Sequence, residues 1–326
     1  MALFLGVDGG GSKTAFVLLD DAARIVAETQ GPSCYYFTSG IDLVSTVLAD
    51  GITRITAEAE VSTQEIDYAF FGLPSYGEAS ADIAVLESIP KALLGHDRYT
   101  CDNDMIGGWA GSLGGADGIN IISGTGSMTY GERHGTGYRA GGWGELFGDE
   151  GSAYWVAVRG LNAFSRMSDG RLPRGPLYDV VKERVGIGSD LDLIGAVVDD
   201  WGGRRSAIAD LSKTVVEADA RGDRIAAGIL VDACHELAHL VDATRVQLGY
   251  GGEEPVPVSY SGGMFTAPAY LTGFTAALDA LGAQYRLRAP LFGPGIGSAL
   301  YAMKKHGVTL PSPSLAHLHQ AHATRR

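Results

Sequence analysis

The sequence predicts an α/β fold in two domains, and three observations carry that prediction. Short apolar runs of strand length alternate with segments of helical spacing. A glycine-and-hydroxyl turn between two apolar strands occurs twice, once around Gly10 and once around Thr125. The chain has 326 residues, more than one ordinary core encloses.

In chain order, residues 3–7 are a buried strand that stops at Asp8-Gly9-Gly10-Gly11-Ser12-Lys13, and residues 14–19 are a second strand. Three consecutive residues without Cβ let backbone N–H groups turn inward toward an anion. Asp8, at the strand end, stands where a Mg²⁺-bearing phosphate needs a carboxylate. A hairpin with glycines for turn geometry alone is the plainer reading, but it needs one or two glycines, not three. A P-loop is excluded: Gly6 and Gly11 have the spacing, yet Ser12 precedes Lys13 and a strand follows. No Gly-x-Gly-x-x-Gly opens a helix here, so the dinucleotide fingerprint fails as well.

Residues 24–30 form a third strand, followed by an aromatic connector, Cys34-Tyr35-Tyr36-Phe37. Helix is expected over 41–59 and 83–94, with strands over 67–73, ending in Pro74-Ser75, and over 99–101. Asp102-Asn103-Asp104 then lies at the carboxyl end of a strand, where α/β sheets place ligands; a helix N-cap is the competing explanation. The second turn follows as Gly124-Thr125-Gly126-Ser127 after the apolar run 119–122. Two such loops, facing each other, would hold one triphosphate between two lobes.

The segment 141–152 is dense in glycine and carries Trp143, Asp149 and Glu150, an apolar plane with carboxylates that suits a polyol. The alternative is a core-plugging Trp with acids capping the helix that starts at residue 153. Residues 164–250 are mostly helical by spacing. His235-Glu236-Leu237-Ala238-His239 matches a zinc-protease pattern, but both histidines fall opposite the apolar face of their helix, so the metal reading is rejected. After a linker-like stretch, residues 258–264 form a strand ending in Gly262-Gly263, a turn bare enough to receive a nucleobase. A closing helix follows residue 293, and residues 311–326 are expected to be disordered.

A 45% hydrophobic and 19% charged composition is that of a globular protein. The net charge of −13 argues against a nucleic-acid groove or an anionic membrane surface, so phosphate must be held by backbone amides and Mg²⁺. Cys34, Cys101 and Cys234 are few, odd in number and far apart, which fits a reducing cytoplasm. The N-terminus has no basic signal-peptide start, and no apolar run reaches the length of a membrane span. The 47 glycines suggest loops that approach a ligand closely.

Together, Val7-Asp8-Gly9-Gly10-Gly11-Ser12-Lys13-Thr14, Asn103-Asp104, Ser123-Gly124-Thr125-Gly126-Ser127, Gly141-Gly142-Trp143-Gly144, Gly148-Asp149-Glu150-Gly151-Ser152 and Ser261-Gly262-Gly263 resemble the N-acetylglucosamine kinase group of the BadF/BadG ATPase superfamily. The resemblance implies the two-lobed actin-like ATPase (ribonuclease H-like) fold, with duplicated mixed β-sheets flanked by helices. It implies a small lobe, 1–117, completed by the helix 293–310, and a large lobe, 118–292. It implies ATP and Mg²⁺ as cofactors, a homodimer, and transfer of the γ-phosphoryl group to the 6-hydroxyl of an amino sugar. Asp8 would be near Mg²⁺, and Gly10, Gly11, Ser12, Lys13, Thr14, Gly124 and Ser127 near the phosphates. Gly262 and Gly263 would pack on adenosine. Asp104 would be the catalytic base, and Ser75, Asn103, Thr125, Gly126, Trp143, Gly144 and Asp149 would hold the sugar. Members that use N-acetylglucosamine usually carry an Asn after the third strand, where this chain has Pro32-Ser33-Cys34-Tyr35-Tyr36. Glucosamine or another hexose derivative therefore stays open as acceptor. A dehydratase activator would need cysteines arranged for an iron–sulfur cluster, and a non-catalytic sugar sensor would have no use for Asp104.

Overall fold

The computed structural model describes residues 1–200, 202–308 and 312–323. The chain forms two compact units, Met1–Asp117 with Ala289–Arg326, and Gly118–Arg288. Each is built on a five-stranded mixed sheet.

The first unit opens with β1 (Leu3–Gly9), β2 (Lys13–Asp20) and β3 (Ile25–Pro32) as an antiparallel meander. Helix α1 (Asp42–Ala59) then crosses to β4 (Tyr68–Leu73), and α2 (Ile83–Leu94) to β5 (Tyr99–Asn103), from which α3 (Met105–Leu113) departs. Both crossovers produce parallel pairs, β1 with β4 and β4 with β5, so the strand order is β3-β2-β1-β4-β5. Parallel strands covered on both faces read as unbroken apolar runs, and residues 3–7 of β1 are all buried. On one face, Val44, Val47, Leu48, Ile52 and Ile55 of α1 join Leu5, Val7, Phe16 and Leu18 in one core.

The second unit starts with the antiparallel meander β6 (Gly118–Ser123), β7 (Ser127–Arg133) and β8 (Thr136–Gly141). Helices α4 (Ala153–Ser168), α5 (Pro176–Val185), α6 (Asp192–Gly195), α7 (Arg205–Asp210), α8 (Ser212–Ala220) and α9 (Arg224–Gln247) follow. Strand β9 (Val256–Ser261), helix α10 (Pro268–Ala280) and strand β10 (Tyr285–Arg288) complete the unit, with strand order β10-β9-β6-β7-β8. Ile119, Ile121, Val256 and Val258 of the sheet share a core with Phe164, Leu230, Leu237, Val241 and Phe274. His235 and His239 lie exposed on α9, while Ala233, Cys234, Leu237 and Ala238 between and beside them are buried.

The chain then returns to the first unit as α11 (Pro294–Lys305) and α12 (Ser312–Ala323). Helix α11 packs on β1 and α3 so closely that side chains are excluded at the crossing points. A Cβ on Gly6 would lie 2.6 Å from Ala299 Cα, and one on Gly297 would lie 2.7 Å from Gly111 Cα. These glycines serve helix packing, whereas the sequence reading assigned the glycine excess to ligand approach. The structure also differs from the expected disorder over 312–323, which is helical, while 311 and 324–326 of that stretch lie outside the described residues. Leu318 of α12 is buried, Leu315 reaches Gly114, and His319 Nδ1 lies 3.0 Å from the Leu291 carbonyl. A few apolar anchors at helical spacing are enough to dock this segment. Among the described residues, no helix is long and apolar enough to cross a membrane.

Candidate active site

The residues singled out in the sequence fall into two groups, one in each unit. In the first unit, Asp8 sits at the end of β1 and pairs in register with Gly72 of β4, which pairs in turn with Asp102 of β5. Asp104 follows β5 directly. A Cβ on Gly72 would lie 3.1 Å from Asp104 Cα and 3.2 Å from the Val7 carbonyl, so the absence of a side chain there is what lets Asp104 approach the β1 terminus. Burial, and then the charge of Asp104, push the Asp8 carboxyl up to about 7, with Lys13 pulling the other way.

The turn after Asp8 is held by Gly10 N–H donating to the Lys13 carbonyl at 2.8 Å. Gly11, Ser12 and Lys13 are exposed, and no atom lies within 4 Å of a Cβ built on Gly11. Lys13 Nζ reaches Gln30 Oε1 at 3.3 Å. Thr14 differs from these neighbours: it is fully buried, and its hydroxyl donates to the Pro32 carbonyl at 2.9 Å. Its contribution is to hold β2 against the end of β3.

Cys34 fills the space behind the turn. Its Sγ would be 2.6 Å from a Cβ on Gly9, and burial pushes its thiol up to about 11. Tyr36, also buried, donates from its hydroxyl to Asp82 Oδ2 at 3.0 Å, and Ser33 donates to the Gly10 carbonyl at 2.8 Å. The connector that lacks an amide is thus pinned at both ends. Tyr35 and Phe37 point outward, with 37% and 45% exposure.

Asn103 is buried and engaged by its own unit. Its Nδ2 donates to the Tyr76 carbonyl at 3.1 Å, and its Oδ1 accepts from Met105 N–H at 3.2 Å. It therefore caps α3 and ties down the segment after β4. Ser75 in that segment is buried and has φ +67°, a left-handed conformation that a non-glycine residue adopts only under constraint. The capping role that competed for Asp104 belongs to Asn103, because Asp104 makes no side-chain cap bond.

In the second unit, Gly124 N–H donates to the Gly126 carbonyl at 2.9 Å and closes the turn between β6 and β7. The flanking hydroxyls point into the fold: Ser123 donates to the Gly151 carbonyl at 2.8 Å and Ser127 to the Glu150 carbonyl at 2.6 Å. Thr125 is exposed at the tip. Gly262 packs behind this turn with φ +103°, and a Cβ there would lie 2.8 Å from Gly124 N. Gly263 faces open space.

Trp143 is 71% exposed, so it does not plug the core, and Gly144 beside it has φ +86° with nothing within 4 Å. Helix α4 is capped by Ser152, whose Oγ accepts from Trp155 N–H at 3.1 Å. The buried Asp149 is therefore free of that duty, and its Oδ1 lies 3.4 Å from Ser127 N. Its Oδ2 is ion-paired with Nη2 of Arg205, a residue that sequence reasoning missed. Nothing local in Arg204-Arg205 marks it, since its partners lie more than fifty residues upstream. Gly72 was missed too, although a glycine one residue from the end of an apolar strand was a usable signal.

Known proteins bear on this arrangement. The chain is similar to the N-acetyl-D-glucosamine kinase of Dictyostelium discoideum, with 31% identity over 270 residues, 80% of this chain and 85% of that protein. It is similar to the N-acetylmuramic acid/N-acetylglucosamine kinase of Clostridium acetobutylicum, with 29% identity over 277 residues, 83% of this chain and 88% of that protein. Among solved structures, a candidate N-acetylglucosamine kinase of Chromobacterium violaceum superposes with a TM-score of 0.68 and 25% identity, covering 92% of this chain and 98% of that one. The model of the BadF/BadG/BcrA/BcrD ATPase family matches residues 5–302. With two mixed sheets flanked by helices and that match along nearly its whole length, the chain belongs to the BadF/BadG/BcrA/BcrD ATPase family.

Proposed function

We propose that this protein is a sugar kinase that transfers the γ-phosphoryl group of ATP to the 6-hydroxyl of N-acetylglucosamine. Membership of an ATPase family supports the nucleotide, and the names of the relatives in Dictyostelium discoideum and Clostridium acetobutylicum support the acceptor. The observation that carries the mechanism is the approach of Asp104 to Asp8 across Gly72. Asp104 accepts the proton of the sugar hydroxyl as its oxygen attacks the γ-phosphorus. The exposed turn residues Gly11 and Ser12 offer N–H groups to phosphate oxygens, with Lys13 beside them, while Gly10, Gly124 and Ser127 line the phosphates on the sequence resemblance. Gly262 and Gly263 border adenosine. Ser75, Asn103, Thr125, Gly126, Trp143, Gly144 and Asp149 hold or frame the sugar.

Two oxygen-only groups, one of them raised by burial and then by the other's charge, fit a hard divalent cation. Asp8 would hold Mg²⁺, which when bound neutralises phosphate charge. Glucosamine is the second acceptor to consider, because the pinned connector buries Cys34 and offers no amide. A homodimer in the cytoplasm completes the reading, on the sequence resemblance. An ADP-coupled assay over N-acetylglucosamine, glucosamine and glucose tests it. The proposal expects sugar-dependent ADP release, fastest with N-acetylglucosamine. ADP release indifferent to every sugar would overturn it.

A further inference from the structure

Asp149 is buried, 2% exposed, and has a left-handed φ of +56°. A carboxylate so placed is stable in its charged form only with a partner. Arg205, from the first turn of α7, supplies one. Its Nη2 is paired with Asp149 Oδ2, and its Nε lies 3.3 Å from Glu145 Oε2. That Nε is buried and makes no well-aligned hydrogen bond, so the guanidinium is committed to Asp149 more firmly than to Glu145. The pair also covers Gly126: a Cβ there would overlap Arg205 Nη2 and lie 2.9 Å from Asp149 Oδ2.

We infer that Arg205 is a positioning residue that keeps Asp149 ionised and fixed beside Gly126 as the acceptor for a sugar hydroxyl. The inference rests on the kinase reading above for the identity of the ligand. Among the described residues, Arg205 of α7, Glu145 of the loop before Asp149 and the N–H of Ser127 in β7 face Asp149. Burial pushes the Asp149 carboxyl above its ordinary range and Arg205 is the largest counterweight, followed by the Ser127 N–H, while Glu145 adds to the rise. Without Arg205, burial and Glu145 act against the Ser127 N–H alone, and Asp149 takes up a proton at higher pH. A protonated Asp149 turns one acceptor oxygen into a donor and loses the charge that strengthens its bond to a hydroxyl.

The test compares the wild type with Arg205→Met, Arg205→Lys, Asp149→Asn and the Arg205→Met/Asp149→Asn double variant, in KM for sugar and ATP and in kcat/KM against pH. Arg205→Met is expected to raise the sugar KM at least about tenfold. Its ATP KM stays within about twofold and the acid limb of kcat/KM moves to higher pH. Arg205→Lys keeps the charge but not the planar fork, so it restores the acid limb and only part of the sugar KM. In the Asp149→Asn background, Arg205→Met has no further effect, because Arg205 acts through Asp149. A sugar KM and acid limb in Arg205→Met equal to the wild type's would overturn the inference, as would full additivity in the double variant. Should Arg205→Met fail to fold, a wild-type sugar KM in Arg205→Lys overturns it equally. If the wild type phosphorylates no sugar, the kinase reading falls, and a ¹³C-carboxyl titration of Asp149 judges Arg205 separately. A higher midpoint in an Arg205 variant without charge supports the pairing, and an unchanged one refutes it.

Discussion

The turn between β1 and β2 leaves its tip glycine, Gly11, open, whereas Gly126 in the turn between β6 and β7 is roofed by the protein's own side chains. A Cβ added to Gly11 would meet nothing within 4 Å, and Ser12 and Lys13 beside it are exposed. Gly126 lies under Asp149 and Arg205, and the hydroxyls of Ser123 and Ser127 are already spent on backbone carbonyls. Carboxylates serve the two turns differently as well. Asp8 carries a strongly raised pKa beside a second acid, while Asp149 is balanced by a cation. Similar glycine-and-hydroxyl sequences therefore encode two kinds of site. The first is an exposed turn beside two neighbouring carboxylates, suited to a ligand that brings its own cations. The second is a pre-assembled surface whose buried acid is paired with a cation, suited to a polyol.

Substitutions can sharpen or break that contrast. The largest effect is expected at the acidic end of the first cradle, where Asp104→Asn lowers kcat about 10³-fold with the melting temperature unchanged. A kcat within threefold of the wild type would remove Asp104 as the base. Next comes Gly262→Ala, which places a Cβ against the end of β6 in a backbone conformation that alanine avoids. It should destabilise the second unit by about 2 kcal/mol, read by chemical denaturation. Gly126→Ala should displace Arg205 and raise the sugar KM about tenfold, with a smaller change for ATP. Gly11→Ala is the control for openness: stability should stay within about 0.5 kcal/mol. Equal damage from Gly11→Ala and Gly126→Ala would erase the distinction between the two turns.

Much of the fold was legible because strand and helix periods are local. The antiparallel meanders, the crossover helices α1 and α2, and the placement of Asp8 and Asp104 at strand ends all follow from runs of a few residues. What was not legible depends on partners distant in the chain. Gly6 is a glycine because Ala299 lies against it, and Gly297 because Gly111 does. Thr14 is marked by the same motif as Ser12, yet its hydroxyl goes to Pro32, which only the β2–β3 register decides. The docking of α12 depends on Leu315 and Leu318 finding a surface made by residues around 114 and 291, and the pairing of Arg205 with Asp149 joins residues 56 positions apart. Motif reading picked out polar residues at strand ends and turns and missed those that shape the space around them.

Phosphoryl transfer to a sugar at a defined oxygen is measured directly by ³¹P-detected NMR of the reaction with ATP, Mg²⁺ and N-acetylglucosamine. The expected result is a phosphomonoester coupled to the two C6 protons of the sugar, formed in step with ADP and lost in Asp104→Asn. Inorganic phosphate as the sole new signal, or an ester on another carbon, would contradict it.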